Sequence, residues 1–180
     1  AAGGRLQSYT TTIPKPVIAA INGACAGIGM VQALMCDVRF AAAGAKFTTA
    51  FARRGLIAEY GMSWLLPRLV GTANALDVLL SGRVFLAEEA HQMGMVNGVV
   101  PGDHLLAHAV AYASDLAANV SPTSMKVMKQ QVYADTTQAI TESEQRALVL
   151  MKESLTRADF KEGVASFMEK RPPQFAPVTR

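Results

Sequence analysis

The chain has 180 residues, 51% hydrophobic and 17% charged, which is enough to bury a core and indicates a single globular domain by default. Its formal net charge of +3 comes from dispersed Lys and Arg residues, so we expect no nucleic-acid partner. The apolar runs are too short to span a membrane and the first residues do not resemble a secretory signal, so we expect a cytoplasmic protein without a membrane partner.

The first part of the chain has the pattern of short buried strands around one helix. The segments "PVIAAI", "DVRFAAA" and "KFTT" are short and rich in Val, Ile and Phe, which favours strands. Between the first two, residues 28–36 are predicted to form an apolar helix. The two cysteines, Cys25 and Cys36, lie in this apolar segment, so we expect a reducing compartment and no disulfide framework.

From "GLIAEYG" onward the pattern becomes helical almost to the end of the chain. "MSWLLPRLVG" and "TANALDVLLSG" predict two helices, each ended by a glycine, and "LAEEAHQMG" predicts a third. A short strand in "NGVVP" precedes further helices, for which Asp103 and Ser121 are predicted N-terminal caps. We therefore divide the chain into an α/β core, residues 1–101, and a helical region, residues 102–180.

Glycines precede the first predicted helix in "INGACAGIGM", and such glycines build anion sites at helix N-termini. Gly23, Gly27 and Gly29 have the spacing that short-chain dehydrogenases use for a dinucleotide, but no tyrosine has the lysine four residues later that those enzymes need. A second possibility is an oxyanion site at the N–H of Ile28. The third is close packing of the helix on a strand, and glycine spacing alone favours packing.

Three longer stretches carry a more specific signal: "KPVIAAINGACAGIGMVQALMCDVRFAAAGAKF", "GLIAEYGMSWLLPRLVG" and "LLSGRVFLAEEAHQMGMVNGVVP". In order and spacing they resemble the enoyl-CoA hydratase/isomerase family, also called the crotonase superfamily. The resemblance implies an α/β fold of repeated ββα turns, followed by a helical region that drives formation of homotrimers or dimers of trimers. It also implies an acyl-CoA thioester substrate, with no cofactor beyond that thioester and no metal.

The resemblance also assigns roles to particular residues. It implies that Ile28 supplies one of two backbone N–H donors to a thioester enolate, with Gly27 and Gly29 beside the substrate. The family carries its other donor upstream of the matched stretches, so we expect this chain to correspond to the C-terminal two-thirds of a crotonase. The last helix of the family contributes an aromatic residue and a lysine to the adenosine end of CoA, and Phe167 and Lys170 stand at similar positions.

The carboxylates distinguish the possible reactions. Hydratases of this family use two glutamates, and the matching positions here hold Val31 and Phe51, neither of which transfers protons. Glu59 in "GLIAEYG" matches instead the single acidic residue of the family's isomerases. Leu56, Ile57, Tyr60, Met62 and Trp64 are near it in sequence, and we expect them to cover it with apolar surface, which makes a carboxylate a stronger base. A solvated loop glutamate is the alternative.

Other residues have simpler interpretations. His104 and His108 are four apart on a predicted helix but lack acidic or cysteine partners, so we expect a solvated helix face and no metal site. Arg53 and Arg54 are expected to be a surface pair, with contact to a CoA phosphate as the alternative. Met125, Met128 and Val132 recur at helical spacing, which predicts that they lie in the core or in a subunit interface.

The sequence thus predicts an enoyl-CoA isomerase that uses Glu59 as its base and the Ile28 N–H as its oxyanion donor. An enoyl-CoA hydratase, a lyase of fatty-acid oxidation, is the alternative within the same family. A crotonase-like protein that binds acyl-CoA without turnover is the alternative from another class, because the paired glutamates are replaced.

Overall fold

A computed structural model describes residues 6–178 of the chain. The described residues form two compact units. The first consists of residues 6–13 and 17–110, and the second of residues 14–16 and 111–178. The division falls within a helix, and the predicted domain boundary after residue 101 stays a prediction.

Strands form two small sheets in the first unit. Their bounds are β1 (Ile18–Ile21), β2 (Cys25–Ala26), β3 (Val38–Ala42), β4 (Lys46–Thr48), β5 (Phe85–Leu86) and β6 (Gly98–Val100). One sheet has the order β1-β3-β6 and the other β2-β4-β5. All these pairs are parallel except the antiparallel pair of β4 and β5. The parallel pairing requires crossover connections, which the helices of this unit provide.

Helices account for most of the remaining regular structure. Those of the first unit are α1 (Ile28–Leu34), α2 (Met62–Ser81) and α3 (Ala87–Gln92), with 3₁₀ turns at Gln7–Thr12 and Ala52–Arg54. Helix α4 (Leu105–Asn119) contributes residues to both units, and the second unit adds α5 (Pro122–Asp135), α6 (Ile140–Thr156) and α7 (Ala158–Glu169). The mixed α/β class and the helical C-terminal region are as the sequence predicts. No helix within residues 6–178 is both long enough and apolar enough to cross a membrane.

Helix α2 contains the break that its sequence predicts. Gly71 lies inside it with φ 76° and ψ 161°, values outside the helical region, so two helical segments meet at this residue. The φ is in the range that favours glycine, which explains how the chain can bend there without strain. The prediction of two helices, each ended by a glycine, is confirmed at Gly71 and again at Gly82, the left-handed C-terminal cap.

The core of the first unit is built around α1 and the strands beside it. Met30, Val31 and Leu34 of α1 are fully or almost fully buried, and Phe47 and Phe85 stack with ring centroids 5.7 Å apart. The buried guanidinium of Arg39 donates to the carbonyl oxygens of Met95, of Leu34 at the end of α1, and of Cys36 two residues later. These bonds satisfy a buried charge and fix the C-terminal end of α1.

Two local predictions differ from the structure and one agrees. Asp103 is not the cap of α4, because residues 102–104 form a turn and the helix begins at Leu105. The Ser124 N–H donates to Ser121 Oγ at 3.0 Å, so Ser121 is the cap of α5. Met128 and Val132 are exposed in this chain, because their face of α5 is not packed within the second unit, so the core interpretation is wrong for them. Their interface role stays a prediction.

Candidate active site

The candidate oxyanion donor lies at the start of α1. Gly27 precedes the helix with φ 50° and ψ −124°, a conformation that a residue with a Cβ rarely adopts. Its N–H donates to the Thr48 carbonyl oxygen at 3.2 Å, and its own carbonyl accepts from the Val31 N–H at 3.1 Å. The N–H of Ile28, in the first helical turn, has no intrahelical acceptor and contacts no other acceptor among residues 6–178. It is therefore a donor open to a ligand.

Thr48 anchors this donor to the end of α2. Its hydroxyl donates to the Gly82 carbonyl oxygen at 3.0 Å and accepts from the Ala50 N–H at 3.1 Å. The neighbouring Thr49 is fully buried, and its hydroxyl donates to the Val78 carbonyl oxygen at 3.1 Å. The strand end that holds Gly27 is thus fixed by side-chain bonds to a second element, which restricts where the Ile28 N–H can point.

Open space surrounds the glycines of the α1 turn. A Cβ placed at Gly23, Gly27 or Gly29 would meet no atom within 4 Å. These glycines are therefore not required for close approach of helix and strand, so packing does not explain them in the described residues. Gly27 is required instead by its backbone conformation.

Glu59 lies on the loop between the Ala52–Arg54 turn and α2. Its side chain is partly buried, and its carbonyl accepts from the Met62 N–H at 3.0 Å. The next two residues, Tyr60 and Gly61, are left-handed with φ of 53° and 79°. A Cβ at Gly61 would lie 3.7 Å from Met35 Cε, so the loop packs beside the C-terminal end of α1. The loop that carries Glu59 thus contacts the helix that carries Ile28.

The predicted apolar cover over Glu59 is largely wrong in this chain. Met62 is buried, but Leu56, Ile57, Tyr60 and Trp64 are exposed, and Ile57 exposes 80% of its surface. Leu56, Ile57 and Tyr60 lie in the surface loop of residues 55–61, whose backbone polar groups need solvent. Trp64 lies in the first turn of α2, where the Arg68 guanidinium carbon is 4.2 Å from its ring centroid. These exposed apolar side chains leave an apolar surface beside the carboxylate rather than an enclosed pocket.

Val31 and Phe51, the positions at which the family resemblance predicts the hydratase glutamates, lie in the core. Val31 has no exposed surface and Phe51 has 5%. Neither side chain has a titratable proton, so neither can act as a general acid or base. Paired-glutamate chemistry at these two positions is therefore excluded for this sequence.

The remaining candidate residues lie elsewhere. Phe167 and Lys170 belong to the second unit, at the end of α7, where Phe167 exposes 82% of its surface and Lys170 has a left-handed backbone. Arg53 donates to the Ser81 carbonyl oxygen and Arg54 to that of Ala50, as a surface pair would.

His108 packs edge-on against Phe40, with ring centroids 4.6 Å apart. Residues 6–178 contain no group of three His, Cys, Asp or Glu side chains that could hold a metal ion.

Sequence reasoning missed Thr48 as an anchor of the site. A threonine at the end of a short strand carries no signal by itself, because hydroxyl residues are common at strand ends. Thr48 comes to lie beside Gly27 because β4 pairs with β2. Strand β2 has only two residues, Cys25 and Ala26, and is too short to predict.

The described residues form a helix-rich α/β protein, and comparison with known proteins identifies its fold and its family. A solved structure of a probable enoyl-CoA hydratase/isomerase from Mycobacterium abscessus superposes with a TM-score of 0.90 at 34% identity, covering 93% of this chain and 68% of that one. An enoyl-CoA hydratase from Mycobacterium marinum is 63% identical, with a TM-score of 0.69 over 76% of this chain and 69% of that one.

The family model of enoyl-CoA hydratase/isomerase matches residues 2–177. The chain belongs to the enoyl-CoA hydratase/isomerase family. A curated relative, the 1,2-epoxyphenylacetyl-CoA isomerase of Escherichia coli, is 39% identical over 164 residues, which cover 91% of this chain and 62% of the relative. The chain spans about three fifths of the length of the curated relatives it matches.

Proposed function

We propose that this chain is part of an enoyl-CoA isomerase that shifts a double bond of an acyl-CoA thioester with one carboxylate. The observation that carries the proposal is the distribution of acidic residues. The hydratase positions Val31 and Phe51 are buried and apolar, whereas Glu59 is a partly buried carboxylate on a loop beside α1. An isomerase needs only one such group, because the same base removes and returns the proton.

The reaction follows from these two groups. Glu59 takes the proton from C2 of a 3-enoyl thioester, and the C–H electrons move toward the thioester carbonyl to give a dienolate. The open Ile28 N–H donates to the enolate oxygen, with the N-terminal end of α1 behind it. Glu59 then returns the proton at C4, and the double bond is left between C2 and C3. No atom is gained or lost, so no co-reactant is needed.

Two further assignments belong to this proposal. Gly27 and Gly29 leave room for the thioester beside Ile28, since a Cβ at either would meet nothing within 4 Å. Phe167 and Lys170 are assigned to the adenosine end of CoA. Homotrimers or dimers of trimers are the proposed assembly, and the exposed apolar residues Leu148, Val149, Met151 and Leu155 of α6 support it.

Hydration by Glu59 and a water molecule is the second candidate. Several relatives, including one from Alternaria alternata that is 36% identical over 178 residues, are named enoyl-CoA hydratases. Because Val31 and Phe51 cannot deliver the second proton, we expect any hydratase activity to be much weaker than isomerisation.

The test is turnover of a 3-enoyl-CoA in buffered D2O, followed by the absorbance of the conjugated thioester and by deuterium uptake. We expect 2-enoyl product without 3-hydroxy product. In Glu59→Gln the rate should fall by about a hundredfold or more, the usual contribution of a general base. Glu144→Gln, at an exposed position of α6, is the matched control and should keep the rate.

Each other outcome selects an alternative. Accumulation of 3-hydroxyacyl-CoA would show a hydratase. If CoA ligands bind but neither product forms, and Glu59→Gln binds them equally well, the chain is an acyl-CoA-binding protein and the isomerase proposal is wrong.

A further inference from the structure

The end of α7 has a lysine where chains usually place glycine. Lys170 is the C-terminal cap, with φ 55° and ψ 41° in the left-handed region. Its N–H donates to the Phe167 carbonyl oxygen at 3.3 Å, and the Arg171 N–H donates to that of Ser166 at 3.1 Å. A residue with a Cβ costs free energy in this conformation and persists only where its surroundings hold it. The neighbouring contacts show what holds it.

Arg171 is clamped to the body of α7 by Glu162. Its Nη1 donates to Glu162 Oε1 at 2.6 Å and its Nη2 to Oε2 at 3.0 Å, a bidentate pair with well-defined geometry. Its Nε donates to Glu169 Oε2 at 2.6 Å. The residue that follows Lys170 is therefore fixed at two points on the same helix.

The tail after α7 is bound to the same carboxylate. The Gln174 N–H donates to Glu162 Oε1 at 2.7 Å, so this carboxylate accepts bonds from three donors. The Arg171 guanidinium, with the Gln174 N–H second, lowers the pKa of Glu162 to about 2. Next to it, a Cβ at Gly163 would lie 3.9 Å from Phe175 Cζ, so the tail runs back against α7. Glu162, on the helix before Lys170, thus holds two residues that follow it, Arg171 and Gln174.

This turn presents an unusual pair of side chains to solvent. Phe167 exposes 82% of its surface, although a phenylalanine gains most by burial, and Lys170 is exposed three residues later. An exposed aromatic ring with a cation in the same turn suits a ligand with a flat base and an anionic group, since rings stack on bases and lysines pair with phosphates. The adenosine 3′-phosphate end of CoA has both groups.

We infer that Glu162 is a positioning residue for coenzyme A, which acts through Arg171 to hold Lys170 in its left-handed turn beside Phe167. Lys170 then meets the 3′-phosphate while Phe167 covers the adenine. Glu162 itself does not touch the ligand. The inference rests on the proposed function, because it takes an acyl-CoA as the ligand of this chain.

The test compares binding of CoA and dephospho-CoA to the full chain by calorimetry. The wild type should prefer CoA. Glu162→Gln keeps the size of the side chain but removes its charge, so the turn is correctly formed less of the time. If that fraction falls to about a fifth, CoA binds about fivefold more weakly, and the preference over dephospho-CoA shrinks. Glu153→Gln, in α6, removes a carboxylate whose Oε2 lies 3.4 Å from Arg157 Nη2, and this control variant should bind both ligands as the wild type does.

A second variant separates positioning from folding. In Lys170→Gly the backbone strain is relieved, so the melting temperature should hold or rise, while the preference for CoA over dephospho-CoA is lost. The inference is overturned if Lys170→Gly keeps the preference, or if Glu162→Gln binds both ligands as the wild type does.

Turnover of a 3-enoyl-CoA on the same samples distinguishes this inference from the proposed function. A chain that isomerises, but whose Glu162→Gln variant keeps the wild-type preference, overturns the positioning role alone. A chain that shows the expected losses of CoA preference without any isomerisation supports the positioning role and overturns the isomerase alone.

Discussion

At the scale of single residues, the turn proposed to hold the oxyanion depends on the backbone of Gly27. Its φ of 50° and ψ of −124° are costly for any residue with a Cβ, although a Cβ there would meet no atom within 4 Å. The penalty for substitution is therefore conformational and not steric. Replacement of Gly27 therefore tests backbone strain without steric overlap, two effects that usually occur together when a glycine is replaced.

We predict that Gly27→Ala lowers the free energy of unfolding by about 1–3 kcal/mol, the cost of a strained backbone, and reduces turnover further by turning the Ile28 N–H. Urea denaturation and the isomerase assay measure the two effects. Gly29→Ala is the comparison for stability, because Gly29 lies inside α1 with open space beside it and alanine favours a helix by up to about 1 kcal/mol. Equal stabilities for the two variants would contradict the conformational argument.

Site residues that stand in a recognisable sequence pattern could be predicted, whereas the exposure of a side chain and an unusual backbone conformation could not. Gly27 and Ile28 stand in a run of glycines before an apolar helix, a pattern that is visible in the sequence, although only the family resemblance favoured an oxyanion role over packing. The exposure of Ile57 and the left-handed backbone of Lys170 could not be predicted. An apolar residue in a loop gives no sign of whether anything covers it, and lysine rarely adopts this conformation.

At the scale of elements, one arginine joins the end of α2 to the start of α3. Arg83 Nε and Nη2 donate to Asp77 Oδ2 at 2.9 and 2.7 Å, and Nη1 donates to Glu89 Oε2 at 3.1 Å. The hydrogen bond from Arg83 lowers the pKa of Glu89 below its usual value of 4.5. The three side chains are partly exposed, so solvent screens the interaction.

We predict that Glu89→Gln destabilises the chain by about 0.5–1 kcal/mol at pH 7, as expected for a partly exposed ion pair. Because the folded-state pKa of Glu89 is depressed, its contribution is complete above pH 4.5 and is lost as the pH falls through the folded-state value. The difference in unfolding free energy between wild type and variant, measured by denaturation from pH 7 to pH 3, should shrink accordingly. A difference that stays constant over this range would refute the ionic explanation.

The elements themselves were largely predictable, and the exceptions have physical reasons. The helices α5, α6 and α7 follow from clear periodicity, and the Ser121 cap from its hydroxyl before Pro122. Strands β2 and β5 have two residues each, which is too short for an alternating pattern. Asp103 was predicted to cap the N-terminal end of α4, but it lies in a turn two residues before the helix begins at Leu105. The sequence alone does not distinguish a capping aspartate from one in the turn that precedes a helix.

At the scale of the whole molecule, exposed apolar residues on the second unit are the observation behind the proposed assembly. An open groove of about 220 Å³ between α5 and α6 is lined by Val127, Met128, Leu150 and Met151, with polar residues at its edges. Apolar surface of this kind is expected to be covered in an assembly.

We predict that the chain forms homotrimers or dimers of trimers, so light scattering should give a mass of roughly three or six times the 19.1 kDa of one chain. Val149→Glu, on the exposed face of α6, should shift the mass toward the monomer by placing a charge in the interface. Lys46→Glu changes charge at an exposed position of β4 in the first unit, outside the apolar face of α6, and is the control. A wild type with the mass of one chain would contradict the proposed assembly.

The break at Gly71 has a consequence for how α2 moves. Hydrogen bonds along a helix make its residues open and close together, and a residue with φ 76° and ψ 161° interrupts that cooperativity. The N-terminal segment follows the Glu59 loop, whereas the C-terminal segment supplies the carbonyls of Val78 and Gly82 that anchor Thr49 and Thr48. Amide protons of the two segments can therefore exchange with solvent independently. The proposed base, Glu59, precedes the N-terminal segment of α2, whereas the proposed oxyanion donor, Ile28, is linked through Gly27 and Thr48 to the end of the C-terminal segment. We therefore expect the loop around Glu59 to fluctuate while Ile28 stays in place.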